Sequence, residues 1–267
     1  MAELLVMHHA TCARKVLFTL FEKRAPIERR ELQREYLRTA DYRRLNPDGV
    51  VPTFVDDAGR PLVESSLIMR YLDEAYDGPA LQPADPWERI KVDLWLKRVD
   101  EKYFPALGAI TAATFIRSMF GDPLDEVRLK VMLDAMVNHA DRVMREDCVR
   151  QGLSSAFVTA GLVVLRKMLD DIEATLDDRD WLVGDTISLA DCAMLPIILR
   201  FAEFRLDGAW ANRPRVAAWW ARLEGRSSTK RLVELADRQL IDEVIASMSD
   251  EARRYYLDAL GVRRRDI

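Results

Sequence analysis

Between Asn46 and Tyr76 the chain reads NPDGVVPTFVDDAGRPLVESSLIMRYLDEAY, and this stretch restricts the possible folds more than any other. Thr53-Phe54-Val55 and Pro61-Leu62-Val63 are short β-prone runs separated by turn chemistry at Asp56 to Arg60, which predicts a hairpin. The period then changes. Leu67, Ile68, Tyr71, Leu72 and Ala75 fall on one face of a helix, with Ser65 and Ser66 where an N-cap belongs. Val51-Pro52 stands directly before the first strand, where a proline marks a turn or strand entry and tolerates a cis bond. A bend there turns the Val51 N–H and C=O outward, free to pair with an extended ligand. Glu64 precedes a helix whose first N–H groups, with the Ser65 hydroxyl, suit a carboxylate, while Glu64 itself suits an ammonium. Singly, a serine at a helix start is a cap and a Val-Pro is a turn. Together, in this order, they suit the α-amino acid end of a small molecule.

Composition narrows the class. The 267 residues carry 40 Lys plus Arg against 44 Asp plus Glu, a formal charge of −4, which argues against general nucleic-acid or membrane-surface binding. No apolar run reaches membrane-spanning length, and MAELLVMHHA lacks the long apolar core of a signal peptide. Cys12, Cys148 and Cys192 are spaced neither as a disulfide framework nor as a zinc site. A soluble, reduced, cytoplasmic protein is expected, with no metal.

In chain order, Leu4 to Met7 predicts a buried strand, and Val16, Leu17, Leu20 and Phe21 the face of a helix ended by Pro26. Residues 27–32 predict a second strand, and Asp41 to Leu45 a short helix before Asn46-Pro47. The order β-α-β-α-β-β-α fits an α/β, thioredoxin-like N-terminal domain over residues 1–77. The proline-rich 78–86 reads as a linker, and 87–267 as an all-α helical C-terminal domain. Helices are expected over 87–118, 124–148, 155–177, 214–224 and within 229–259. Ser188 and Asp191 have capping-box spacing before an apolar, buried helix that Pro196 should kink.

The order NPxGxVPxF, hairpin, LVESSLIMRYLDE resembles the glutathione-binding half of the soluble glutathione S-transferases, and GDTISLAD resembles that family's second signature. The likeness spans about residues 3–225, leaving a longer region near 108–155 and an extension from about 226. It implies that the Val51 backbone, before a cis Pro52, pairs with the cysteinyl part of glutathione, and that Glu64 and Ser65 hold the γ-glutamyl end. Arg38 stands where many members use a lysine against the glycyl carboxylate, a task an arginine fork can perform. A solvated charge is the other reading of Arg38.

As co-substrate, glutathione needs its thiolate stabilised, which a helix N-terminus with a hydroxyl or thiol donor provides. Ala10-Thr11-Cys12 is the segment placed to do so, which makes Thr11 and Cys12 the catalytic candidates. Ala10 falls where serine-type members carry their hydroxyl, and Cys12 where cysteine-bearing bacterial members carry their thiol. Thr11 suits a hydrogen bond to the thiolate. Cys12 suits the same bond, a mixed disulfide, or mere packing. His8 and His9 point to opposite faces and lack a third ligand. For the electrophile, Tyr103, Leu107, Ile110, Thr111 and Phe115 offer a mostly apolar wall suited to an aromatic substrate. VDEKYF and the long region after it resemble the bacterial β-aryl-etherase branch. The amphipathic helices that start at Ser65 and Trp87 offer more apolar surface than one small sheet can cover, and the resemblance implies a homodimer paired through the two domains. The alternatives are a non-catalytic ligand- or protein-binding relative, which the loss of a hydroxyl at Ala10 favours, and thiol-disulfide or dehalogenation chemistry at Cys12.

Overall fold

Leu4, Leu5 and Val6 are fully buried, and they make β1 (Glu3–Val6) an inner strand of the sheet. The computed structural model describes residues 1–262. Strand β2 (Glu28–Glu31) runs parallel to β1, with Glu3 opposite Glu28. A parallel neighbour needs a crossover, and α1 (Thr11–Lys23) supplies it. After α2 (Ala40–Leu45), strands β3 (Thr53–Val55) and β4 (Pro61–Leu62) form the hairpin, β3 antiparallel to β1 with Phe54 opposite Leu4. The sheet order is β2-β1-β3-β4, and α3 (Ser65–Ala75) packs on α1. The thioredoxin-like order anticipated from the sequence is the one observed.

The face that α3 buries differs from expectation. Ser65, Ser66, Ile68, Met69 and Leu72 point inward, whereas Leu67 and Tyr71 are exposed. The cause lies on α1, where the buried Lys15 ammonium donates to Ser66 Oγ at 2.7 Å. A buried charge requires polar partners, so the serine edge of α3 turns inward and two apolar side chains turn out.

Beyond α3 the chain is helical. Helix α4 (Pro86–Arg98) starts with Pro86 in its first turn and the Asp85 carboxylate accepting from Glu88 N. In place of one regular helix over 87–118, π-helical turns at Val99–Tyr103 and Ala112–Ile116 flank α5 (Phe104–Thr111). Pro105 lacks an N–H and crowds the carbonyl one turn back, which accounts for the first widening. At the second, the hydroxyls of Thr114 and Tyr256 both bond Ile110 O, at 2.8 and 3.3 Å, and so compete with the backbone ladder.

The expected helix over 124–148 is two helices, α6 (Glu126–Asp134) and α7 (His139–Gln151). Asn138 caps the second by accepting from Asp141 N, a role asparagine fills better than an interior position. Then follow α8 (Ala156–Thr175), α9 (Leu189–Glu203, with Pro196 inside), α10 (Pro214–Glu224), α11 (Ser227–Glu234), α12 (Arg238–Ser247) and α13 (Asp250–Ala259). Gly161 lets α8 approach α5 closely, since a Cβ there would sit 3.0 Å from Ala106 O. Among the described residues no single helix is long and apolar enough to cross a membrane.

The chain forms two compact units. The first comprises Met1–Val99, Asp178–Ile198 and Trp219–Asp237; the second comprises Asp100–Asp177, Leu199–Ala218 and Arg238–Ile267, described to Val262. The stretch 78–86 lies inside the first unit.

Asp191 organises the later part of that first unit. Fully buried, it accepts from Leu182 N, Ser188 N, Ser188 Oγ and Trp219 Nε1, all at 2.9–3.0 Å. One half of the anticipated capping box is present, the Ser188 N–H to Asp191. The serine hydroxyl, however, donates to the carboxylate. Burial pushes the Asp191 carboxyl above the usual range, and these four bonds oppose the shift. Leu189 N meanwhile donates to Leu81 O at 2.8 Å, fastening the proline-rich stretch to this motif. Asp191→Ala strands several buried donors at about 1–3 kcal/mol each, so a loss of roughly 3–6 kcal/mol is expected in denaturant titrations. Asp191→Asn, which keeps one acceptor oxygen, should lose less.

Candidate active site

Strand β1 runs into a short loop that ends at Ala10, the N-cap of α1. With φ −72° and ψ 126° this residue has cap geometry but no side-chain oxygen, and the first turn carries no acidic residue. The positive end of α1 therefore lacks the usual side-chain cap. Thr11 and Cys12 follow, both half-buried. Among the described residues the Thr11 hydroxyl has no partner. Cys12 Sγ donates to Val51 O at 2.9 Å, joining the start of α1 to the loop before β3.

His8, by contrast, is tied into the frame. Its N–H donates to both Glu31 oxygens at 3.1 and 3.0 Å, its Nδ1 lies 3.0 Å from Glu31 Oε2, and its carbonyl accepts from the buried Arg14 Nε at 2.9 Å. Burial holds the imidazole below the usual histidine range, and the Glu31 carboxylate only partly offsets this. A neutral ring donating its Nδ1–H to Glu31 satisfies both the contact and the direction of the shift. No group of three or more metal-ligating side chains occurs among the described residues.

The Val51-Pro52 bond is cis. Its loop is held by a buried polar knot that the sequence reading missed. The Tyr42 hydroxyl donates to Val50 O at 2.5 Å and lies 3.0 Å from Thr53 Oγ1. Asn46 Nδ2 donates to the same carbonyl at 2.8 Å and to Thr53 Oγ1 at 3.1 Å, and Asn46 Oδ1 accepts from Asp48 N. Burial raises the Tyr42 phenol, with the bonds to Thr53 and Asn46 working against it. A signal was present: Asn46 and Thr53 are polar residues bracketing the apolar VVP, and buried polar groups of this kind need each other.

At the start of α3, Glu64 adopts φ 67° and ψ 105°, a conformation that L side chains rarely take and that costs on the order of 1–3 kcal/mol. Its side chain is exposed and caps nothing, and the Ser65 hydroxyl has no partner among the described residues. Because Lys15 in α1 holds Ser66 in α3, the first turns of the two helices are adjacent. Two hydrogen bonds, Cys12 to Val51 and Lys15 to Ser66, thus bring Thr11, Cys12, Val51, Pro52, Glu64 and Ser65 together. Arg38 is exposed on a single 3-10 turn, Tyr36–Arg38, linked to the knot by the packed rings of Tyr36 and Tyr42, 5.8 Å apart. Of the positions expected to face a hydrophobic substrate, Tyr103, Leu107, Ile110 and Phe115 are buried in the second unit. Thr111 is half-buried and donates to Leu107 O.

Comparison with known proteins accords with this geometry. The glutathione S-transferase N-terminal domain matches residues 10–75 and the glutathione S-transferase C-terminal domain residues 156–227, together more than half of the chain. Protein LigF of Sphingobium sp. is 28% identical over 240 residues, covering 84% of this chain and 90% of LigF. Glutathione S-transferase GstB of Escherichia coli is 26% identical over 229 residues, covering 85% and 94%. Among solved structures, β-etherase LigF superposes with a TM-score of 0.76 at 23% identity, covering 88% of this chain and 99% of LigF. A theta-class glutathione S-transferase from Xanthomonas axonopodis with glutathione bound gives 0.61 at 24%, covering 88% and 98%. At these identities the structural matches establish the fold.

The strained backbone at Glu64 separates stability from function. Glu64→Gly relieves the strain, and a thermal melt should show a gain of about 1 kcal/mol, whereas Glu64→Ala keeps the strain and should melt near wild type. Equal melting of both variants would mean that φ 67° is not costly in this setting.

Proposed function

The chain belongs to the glutathione S-transferase family, and we propose that it is a glutathione-dependent transferase that turns the glutathione thiolate on a hydrophobic, aromatic electrophile, by conjugation or β-aryl ether cleavage. One observation carries this reading. Around the starts of α1 and α3, most polar side chains are satisfied internally, whereas Thr11, Glu64 and Ser65 have no partner among the described residues. These three are the groups an α-amino acid with a thiol would need. The Glu64 carboxylate takes the ammonium, the Ser65 hydroxyl with the amides of α3 takes the carboxylate, and the Thr11 hydroxyl with the amides of α1 takes the sulfur. The Val51 backbone pairs with the cysteinyl peptide beside cis Pro52, and Arg38 meets the glycyl carboxylate.

In this proposal the electrophile meets α5 and its flanking turns, with the half-buried Thr111 at the surface and the buried Tyr103, Leu107, Ile110 and Phe115 as the apolar backing behind it. The description of the LigF relative as a β-etherase supports the ether-cleaving arm. Ala10 still favours a non-catalytic binder, and the uncapped end of α1 speaks against it, because charge stabilisation there does not depend on a side chain at position 10. Thiol-disulfide or dehalogenation chemistry fits less well, since the Cys12 thiol is engaged with a carbonyl.

The protein would work in the cytoplasm as a homodimer. Trp87 is 70% exposed, and Ile90 and Leu94 continue its stripe on α4; Leu67 and Tyr71 are exposed on α3, which the Arg70–Asp93 pair joins to α4. Such a surface suits a second copy.

Calorimetry should detect glutathione binding to the wild type, weakened by roughly 1.5–3 kcal/mol in Glu64→Ala. Thr11→Ala should cut turnover, within the 10²–10³ range known for loss of a positioned donor. A wild type that does not bind glutathione would end this proposal, and electrophile and aryl-ether panels with and without glutathione would identify the substrate class. Trp87→Glu should convert the dimer to a monomer in sedimentation. A wild type of about 31 kDa at micromolar concentration would contradict the dimer.

A further inference from the structure

The peptide planes on either side of the Val51 Cα are held by different donors. The plane between Val50 and Val51, which carries the Val51 N–H, is fixed at its carbonyl by Tyr42 OH at 2.5 Å and Asn46 Nδ2 at 2.8 Å. The plane between Val51 and Pro52 is fixed at its carbonyl by Cys12 Sγ at 2.9 Å. Tyr42 and Asn46 are buried and belong to a knot whose bonds lie within the fold. Cys12 is half-buried, and its thiol makes the bond that ties this second plane to α1.

From this arrangement we infer that Cys12 is a positioning residue, whose thiol sets the direction of the Val51 carbonyl for a peptide ligand and does not act on the ligand's sulfur. Donation to a carbonyl requires the neutral thiol, because a thiolate has no proton to give. A cysteine in this role is neither the nucleophile of a mixed disulfide nor the donor to a bound thiolate, and the latter task falls to Thr11. A residue that only filled space would have no need of a polar atom aimed at a carbonyl. The inference rests on the proposal that glutathione pairs with Val51, and it adds a role for the one thiol near that pairing.

Two ligands separate the possibilities. Glutathione has a thiol, whereas S-methylglutathione keeps the same peptide and has none. If Cys12 acts through the Val51 carbonyl, Cys12→Ala should weaken calorimetric binding of both ligands alike, by about three- to tenfold, the loss of one hydrogen bond. Cys12→Ser, whose hydroxyl can donate to the same carbonyl, should recover most of the affinity for both. Weakening confined to glutathione would show that Cys12 acts on the sulfur and would overturn the inference, as would unchanged binding of both ligands by Cys12→Ala. Should Cys12→Ala fail to fold in circular dichroism, Cys12→Ser alone decides: near-wild affinity for both ligands supports the role, and a selective loss of glutathione overturns it. If the wild type binds neither ligand, the glutathione proposal itself falls, an outcome distinct from all of these.

Discussion

Helix α1 buries four charged side chains, and much of the first unit is arranged to satisfy them. Arg14 and Lys15 near its start, and Glu22 and Lys23 near its end, are almost inaccessible to solvent. A charge taken out of water costs several kcal/mol unless it is paired, so each of these side chains dictates a neighbour. Arg14 holds His8 O in the loop after β1, and Lys15 holds Ser66 at the start of α3. Glu22 accepts a bidentate pair from Arg226, 2.7 Å at each oxygen, together with the Ser228 hydroxyl, which brings in α11. Lys23 pairs with Asp73 at 3.1 Å, and Asp73 in turn accepts from Leu81 N and Gln82 Nε2. An apolar α1 would pack as tightly, but it would not fix which turn of α3 lies beside its own first turn.

That fixed register is what makes a site possible. The uncapped N-termini of α1 and α3 are held side by side by Lys15 and Ser66, and the cis Val51-Pro52 loop is drawn in by Cys12. In the proposed function, two positive helix ends and an extended backbone edge receive a small peptide with a carboxylate and a thiol. Most polar side chains of this frame bond one another, whereas the half-buried Thr11, the exposed Glu64 and the buried Ser65 have no partner among the described residues. Glu64 pays for its placement with an unfavourable backbone conformation.

How much of this the sequence could reveal depended on range. The strands, the hairpin and the order of elements follow from period and turn residues, which are local, and they were legible. The likeness of NPxGxVPxF and LVESS to a known family singled out Val51, Glu64 and Ser65, and the loop before the first helix singled out Thr11 and Cys12. The fold sets these positions around the starts of α1 and α3, and their roles belong to the proposal. What was not legible depended on contacts between distant residues. Period alone placed Leu67 and Tyr71 inside, but the demand of Lys15 for Ser66 rotated α3. The π turns around α5 arise from Pro105, visible in the sequence, and from Tyr256, far along the chain and not foreseeable. The break before α7 had only Asn138 as a signal, and no glycine or proline stands between α6 and α7. Of the Tyr42, Asn46 and Thr53 knot only the polar Asn46 and Thr53 around VVP gave a local sign; that they bond each other and that Tyr42 joins them depends on burial, which period does not report.

The central claim is that the start of α1, with the Thr11 hydroxyl, holds a thiolate. Its most direct test is an ultraviolet difference titration of the thiol of glutathione bound to the wild type and to Thr11→Ala. The bound thiol should titrate at least about one unit below the ordinary thiol value near 8.5 in the wild type, and move back toward it in the variant. A bound thiol that titrates at its ordinary value in the wild type, or one that Thr11→Ala leaves unmoved, would contradict the claim.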